Sequence, residues 1–109
     1  INIASISGMD GSSGQLAYSS SKAALIGATR TMSRELAQQG IRVNAIAPGV
    51  IDTDMNAVVP ESVLAGHIKS MSIQRMGSSN EVANAILFLA SDLSNYMTGQ
   101  IIRVDGGMK

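Results

Sequence analysis

An α/β fold built on a parallel sheet is predicted by three observations. Short apolar, β-favouring runs at residues 1–5, 41–48 and 100–104 alternate with longer helix-forming stretches. Each helical stretch lies between two of those runs, as right-handed crossovers between parallel strands require. The middle run, Ile41-Arg42-Val43-Asn44-Ala45-Ile46-Ala47-Pro48, is largely apolar, which is the pattern of a strand buried on both faces.

The elements follow in order. Ile1-Asn2-Ile3-Ala4-Ser5 has no cap or turn ahead of it, so the chain is expected to open in mid-strand, as an excerpt of a longer protein would. Residues 8–14 hold three glycines, two serines and an aspartate, a composition that reads as loop. No proline interrupts residues 16–39, where Ala23, Ala24, Leu25, Ile26, Ala28, Met32, Leu36 and Ala37 predict one long helix ended by Gly40. Its small residues lie almost all round the cylinder, so more than one face is expected to be covered, one of them by another helix. Pro48-Gly49 stops the middle strand. Pro60 and Glu61 begin a helix running to about Met71, since proline fits a first turn and an acid suits the positive end of the dipole. A loop over 72–79 precedes a helix capped by Ser79 or Asn80 and ending near Ser91. The strand at 100–104 closes with Asp105-Gly106-Gly107.

Composition narrows the function classes. The 109 residues fit one domain or a piece of one, and eight Lys and Arg balance eight Asp and Glu. No basic field gathers phosphates, so neither nucleic acid nor an anionic membrane is an expected partner. Cysteine is absent, which excludes disulfides, thiolate zinc sites and cysteine nucleophiles. The longest apolar run, residues 85–90, falls far short of the roughly 18 residues of a membrane span. Tyr18, Phe88 and Tyr96 are the only aromatics, so the core relies on aliphatic and Met side chains, with Phe88 expected inside it. Asp52 and Asp54, in a chain with His67 as its only histidine, make no metal site. His67 reads as a helix-surface residue, and Arg34 and Glu35 as solvated helix charges.

Chemistry gathers at the start of the long helix. Tyr18 and Lys22 are four apart and share a helix face. A free phenol is only about 0.1% ionised at neutral pH, and a cation within about 4–6 Å favours its ionised form. Ser5 ends the first strand, where open α/β sheets place their sites. Its hydroxyl and the phenol, aimed at one oxygen, would bind a carbonyl and stabilise the alkoxide formed when hydride reaches the carbon. Ser5 also has a plainer role open to it, as a strand-end hydroxyl bonded to backbone. Asn44, polar in an apolar strand, reads as a buried structural hydrogen-bonder.

Four ordered motifs carry a resemblance: Ser5; Tyr18-Ser19-Ser20-Ser21-Lys22; the run from Arg42 through Pro48-Gly49-Val50-Ile51-Asp52-Thr53; and Thr98-Gly99-Gln100 through Asp105-Gly106-Gly107. Over its whole length the chain resembles the C-terminal half of a short-chain dehydrogenase/reductase, with the bacterial β-ketoacyl-[acyl-carrier-protein] reductase branch the most similar. The resemblance implies the C-terminal part of one Rossmann-like, doubly wound dinucleotide-binding domain, with three strands and helices on both faces, incomplete without N-terminal residues. It implies that Tyr18 is the general acid/base, that Lys22 assists it and holds nicotinamide ribose hydroxyls, and that Ser5 positions the carbonyl. Pro48, Gly49, Ile51 and Thr53 would join Tyr18 and Lys22 in binding NADPH or NADH, and the segment after Met55 would form a substrate lid.

The implied reaction is reduction of a ketone, foremost a 3-oxoacyl thioester that is free or bound to a carrier protein. Members acting on sugars, steroids or hydroxybutyrate share these motifs, and an inactive oligomerising fragment is the alternative from another class. A cytoplasmic homodimer or homotetramer joined through the Tyr18-bearing helix is expected. The family's Gly-rich phosphate loop belongs N-terminal to Ile1, while Gly8, Gly11 and Gly14 have the wrong spacing for it and read as loop glycines. The 109 residues alone are therefore expected to be inactive.

Overall fold

Three parallel strands form one sheet in the order β1 (Asn2–Ile3), β2 (Ala45–Pro48), β3 (Ile101–Val104) in a computed structural model that describes residues 1–109. Asn2 stands opposite Ala45, and Ala45 in turn opposite Ile101, so the three strands share one C-terminal edge. Ala45, Ile46 and Ala47 are fully buried. Successive strand residues point to opposite faces, so burial of all three means that both faces are covered. Ala45 packs with Ala4, with Ile101 and with Ile26 of the long helix α2 (Leu16–Leu36). The helix α5 (Ser79–Ala90) contributes the buried Leu89.

Helix boundaries have local causes. A short 3₁₀ turn, Ala37–Gln39, extends α2, and Gly40 at φ 76° ends it in the left-handed conformation that glycine adopts at little cost. The helix α5 starts at a reciprocal cap: Ser78 Oγ accepts the Glu81 N–H, and the Glu81 carboxylate accepts the Ser78 N–H. That cap lies one residue before the expected Ser79. At its other end the Arg42 guanidinium donates to the Leu89 and Ser91 carbonyls, placing a cation at the negative end of the dipole.

Several expectations are corrected. Residues 8–14 are not all loop, because a helix α1 (Ile6–Asp10) runs through Gly8. The middle strand pairs only from Ala45. Upstream, Val43 N–H bonds the Thr98 hydroxyl, while buried Asn44 donates to the Met97 carbonyl and accepts from Gln100 N–H. Side chains there add to the backbone bonds that Asn2 N–H makes to Asn44 O and Gly99 N–H to Val43 O, and Asn44 is the structural hydrogen-bonder expected of it. Phe88 is 41% exposed, and it is Leu89, the next residue along the helix, that faces inward. Between β2 and α5 lie two further helices, α3 (Asp54–Ala57) and α4 (Glu61–Ser70), the second over the stretch where a helix is expected. No helix is long and apolar enough to cross a membrane.

Candidate active site

The shared C-terminal edge of the sheet gathers the candidate residues. Ser5 follows β1, Pro48 ends β2 with Gly49 to Thr53 after it, and Asp105 to Gly107 follow β3. Ser5 is buried and extended (φ −165°, ψ 154°), and it caps α1 by accepting the Ser7 N–H at 3.1 Å. This bond engages an acceptor lone pair and leaves the hydroxyl proton, which no atom of the chain accepts. Ser5 therefore fills the plainer backbone-bonding role and still offers a donor.

Helix α1 is held against α2 by backbone contact. A Cβ on Gly8 would lie 2.7 Å from the Lys22 carbonyl carbon and 2.8 Å from the Ala23 nitrogen. Only glycine allows the two backbones to approach so closely, and the approach occurs at Lys22 itself. The helix that begins at Ser5 is thereby fixed relative to the helix that carries Tyr18.

Lys22 reaches back to the strand. Its Nζ donates to the Ile3 carbonyl at 2.9 Å and sits 5.7 Å from the centre of the Tyr18 ring. Of its three N–H donors, that bond uses one. The Tyr18 hydroxyl forms no hydrogen bond within the chain, and the residue is 39% exposed. Ser5 and Lys22 thus lie at the end of β1 with Tyr18 beside Lys22, and two hydroxyl protons and two ammonium donors have no partner within the chain.

The segment after β2 is shaped by close contacts. A Cβ on Gly49 would stand 2.8 Å from Asp105 Cα, so the chain leaving β2 runs against the chain leaving β3. The Ile51 carbonyl accepts from Asn56 Nδ2 at 2.6 Å, whereas its N–H has no partner. Thr53 is exposed, and its hydroxyl lies 3.5 Å from the Ile51 carbonyl, too far for a strong bond. Ile51 pairs with Gly77 as an isolated parallel bridge, with Asp52 N–H donating to Gly77 O and Gly77 N–H to Val50 O.

Charges at the rim are paired. Arg103 joins Asp105 at 2.7 Å and Asp10 at 2.8 Å, tying β3 to the end of α1, and these carboxylates raise the guanidinium above its ordinary value. A cleft of about 340 Å³ opens beside them, bounded by Ile51, Ile73, Gly77 and the Arg75–Glu81 ion pair. Sequence reasoning missed Gly8, Asn56 and the Arg75–Glu81 pair. A serine followed three residues later by glutamate, Ser78 to Glu81, was the available signal for the last of these.

The site's surroundings recur in known proteins. A family model described as Enoyl-(Acyl carrier protein) reductase matches residues 1–109. The 3-oxoacyl-[acyl-carrier-protein] reductase FabG of Aquifex aeolicus is 47% identical over 108 residues, covering 99% of this chain and 44% of the relative. The protein of the same name from Escherichia coli is 44% identical with the same coverage. The chain thus spans under half the length of these relatives. A crystal structure of a 3-oxoacyl-[acyl-carrier protein] reductase from Brucella melitensis superposes with a TM-score of 0.94 at 40% identity, over 98% of this chain and 40% of that one. A 4-hydroxyisoleucine dehydrogenase mutant complexed with NADH and succinate superposes with a TM-score of 0.90, also at 40% identity, over 97% of this chain and 44% of that one.

Proposed function

Because this chain belongs to the short-chain dehydrogenase/reductase family, we propose that it supplies the proton-transfer part of an NAD(P)H-dependent reductase acting on a 3-oxoacyl thioester, free or carrier-bound. Residues 1–109 are, on this reading, the C-terminal part of a single dinucleotide-binding domain. The observation that carries it is that Lys22 Nζ, 5.7 Å from the centre of the Tyr18 ring, bonds the Ile3 carbonyl two residues before Ser5, with unused donors on all three side chains.

Those donors fit a nicotinamide cofactor and a ketone together. Lys22, with two N–H groups to spare, would hold ribose hydroxyls, and the free Ile51 N–H would meet the carboxamide. Pro48 and Gly49 would form the floor, and Thr53 would face the pyrophosphate. A reduced nicotinamide, when bound, supplies hydride. Ser5 donates a hydrogen bond to the substrate carbonyl oxygen and orients it, keeping its own proton. Tyr18 transfers its phenolic proton to that oxygen as negative charge develops there, and the Lys22 ammonium stabilises the charge left on the phenol.

Support for the substrate comes from the two reductases matched over nearly the whole chain. Support for the cofactor comes from the NADH-bound dehydrogenase of the same local fold. Exposed Leu16, at 84%, and the few buried positions of α2 support a homo-oligomer joined through that helix, which we place in the cytoplasm with the rest of this reading. The test is NAD(P)H oxidation by the complete protein with a 3-oxoacyl thioester, a sugar and a steroid ketone. Preference for the thioester is expected; preference for either other ketone overturns the substrate assignment.

A further inference from the structure

The flap formed by α3 and α4 leaves the sheet at Ile51 and returns through residues 71–77, and its two ends are fastened together. Asp52 N–H bonds Gly77 O at 2.8 Å, and Gly77 N–H bonds Val50 O at 3.0 Å. On the return side, Ile73 N–H bonds Gly106 O at 2.8 Å, which anchors the same segment to the turn after β3. Residues 73–77 therefore run between the exits of β2 and β3, and Gly77 is the point that touches Ile51.

What holds Gly77 is the side-chain pair that straddles it. Arg75 presents a two-pronged fork to Glu81, Nη2 to Oε1 at 2.6 Å and Nη1 to Oε2 at 2.9 Å, while Nη1 also bonds the Met76 carbonyl at 3.0 Å. Glu81 is already committed to the cap of α5 through the Ser78 N–H and hydroxyl. The planar fork fixes direction as well as distance, which a point charge does not. Both side chains are about half exposed, so the pair adds little to global stability, and its effect is local.

We propose that Arg75 and Glu81 are positioning residues that lock Gly77 to α5 and so hold the Ile51–Asp52 backbone where the nicotinamide cofactor docks. This rests on the reading of Ile51 given above. Neither side chain touches substrate or cofactor; both act through the bridge between Ile51 and Gly77. Loss of the fork frees Gly77, loosens the bridge and lets the base of the flap drift.

The test uses the complete protein with Arg75→Ala, Arg75→Lys and Glu81→Gln, read by amide hydrogen exchange at Asp52 and Gly77 and by steady-state kinetics. Arg75→Ala and Glu81→Gln are expected to speed exchange at both amides about tenfold or more without changing exchange in β2. They are also expected to raise the cofactor KM about fivefold or more while kcat changes less than about twofold, since a displaced binding group weakens docking before it alters chemistry. Arg75→Lys, which keeps the charge but not the fork, should fall between them and the parent. Unchanged exchange at Asp52 and Gly77 overturns the proposal, and so does faster exchange with an unchanged cofactor KM. Should the parent reduce no ketone, the functional reading fails instead, and the exchange measurement alone decides whether the lock exists.

Discussion

A missing side chain sets how closely two helices of this site approach. Gly8 lets α1 touch the backbone of α2 at Lys22, and through that contact it fixes Ser5 relative to Tyr18. Alanine there would force backbones apart, because the nearest atoms are main chain and the root of a side chain rather than a flexible tip. Gly8→Ala is therefore expected to destabilise the complete protein by about 1–3 kcal/mol, read as a lowered thermal midpoint, and to lower turnover as well. An unchanged midpoint would show that the two helices separate without penalty. Gly8 was hidden in the sequence because glycine among serines and an aspartate carries a turn composition. The helix there survives through the Ser5 cap and the contact with α2, neither of which is a local propensity.

At the level of elements, α5 shows how a cap turns acidity into a local liability. Hydrogen bonds from Arg75, then from the Ser78 N–H, hold the Glu81 carboxyl at about 2, below its ordinary 4.5. A carboxyl whose value falls on folding stabilises the native state above its unfolded value, and that contribution disappears as pH drops through the folded one. The start of α5 should therefore be fully braced above pH 4.5 and lose its brace between about 4.5 and 2. Protection of the first-turn amides of α5 against hydrogen exchange should fall across that window in the parent and stay flat in Glu81→Gln; equal falls would show that the carboxylate contributes nothing. Helix existence was legible from Gly40 and Pro60, because these residues act within one turn of themselves. Which face of α5 turns inward was not, since in Ile86-Leu87-Phe88-Leu89 every residue is apolar and only the position of the sheet selects Leu89. That the strand starts only at Ala45 was likewise hidden, because Asn44 spends its amide on Met97 and Gln100, more than fifty residues away.

The whole molecule behaves as one edge of a sheet with its chemistry concentrated at the strand exits. Its parallel order and the placement of Ser5, Tyr18 and Lys22 were legible because the apolar runs, their punctuation and the four-residue spacing survive any packing. The Arg75–Glu81 fork and the Ile51–Gly77 bridge were not, because they join segments that meet only after the flap has folded. At this scale α2 buries only Ile26, Thr29 and Ser33 along its 21 residues, and the complete protein is expected to assemble through it. Ala28→Arg, on an exposed position of that helix, should lower the mass seen by sedimentation, and an unaltered mass would move the interface elsewhere. The account as a whole stands on the Tyr18 hydroxyl as the proton donor at the end of β1. In the complete protein, Tyr18→Phe should slow reduction of a 3-oxoacyl thioester by about 10²–10⁴-fold while NAD(P)H binds with nearly parental affinity. Turnover within a few-fold of the parent would contradict it.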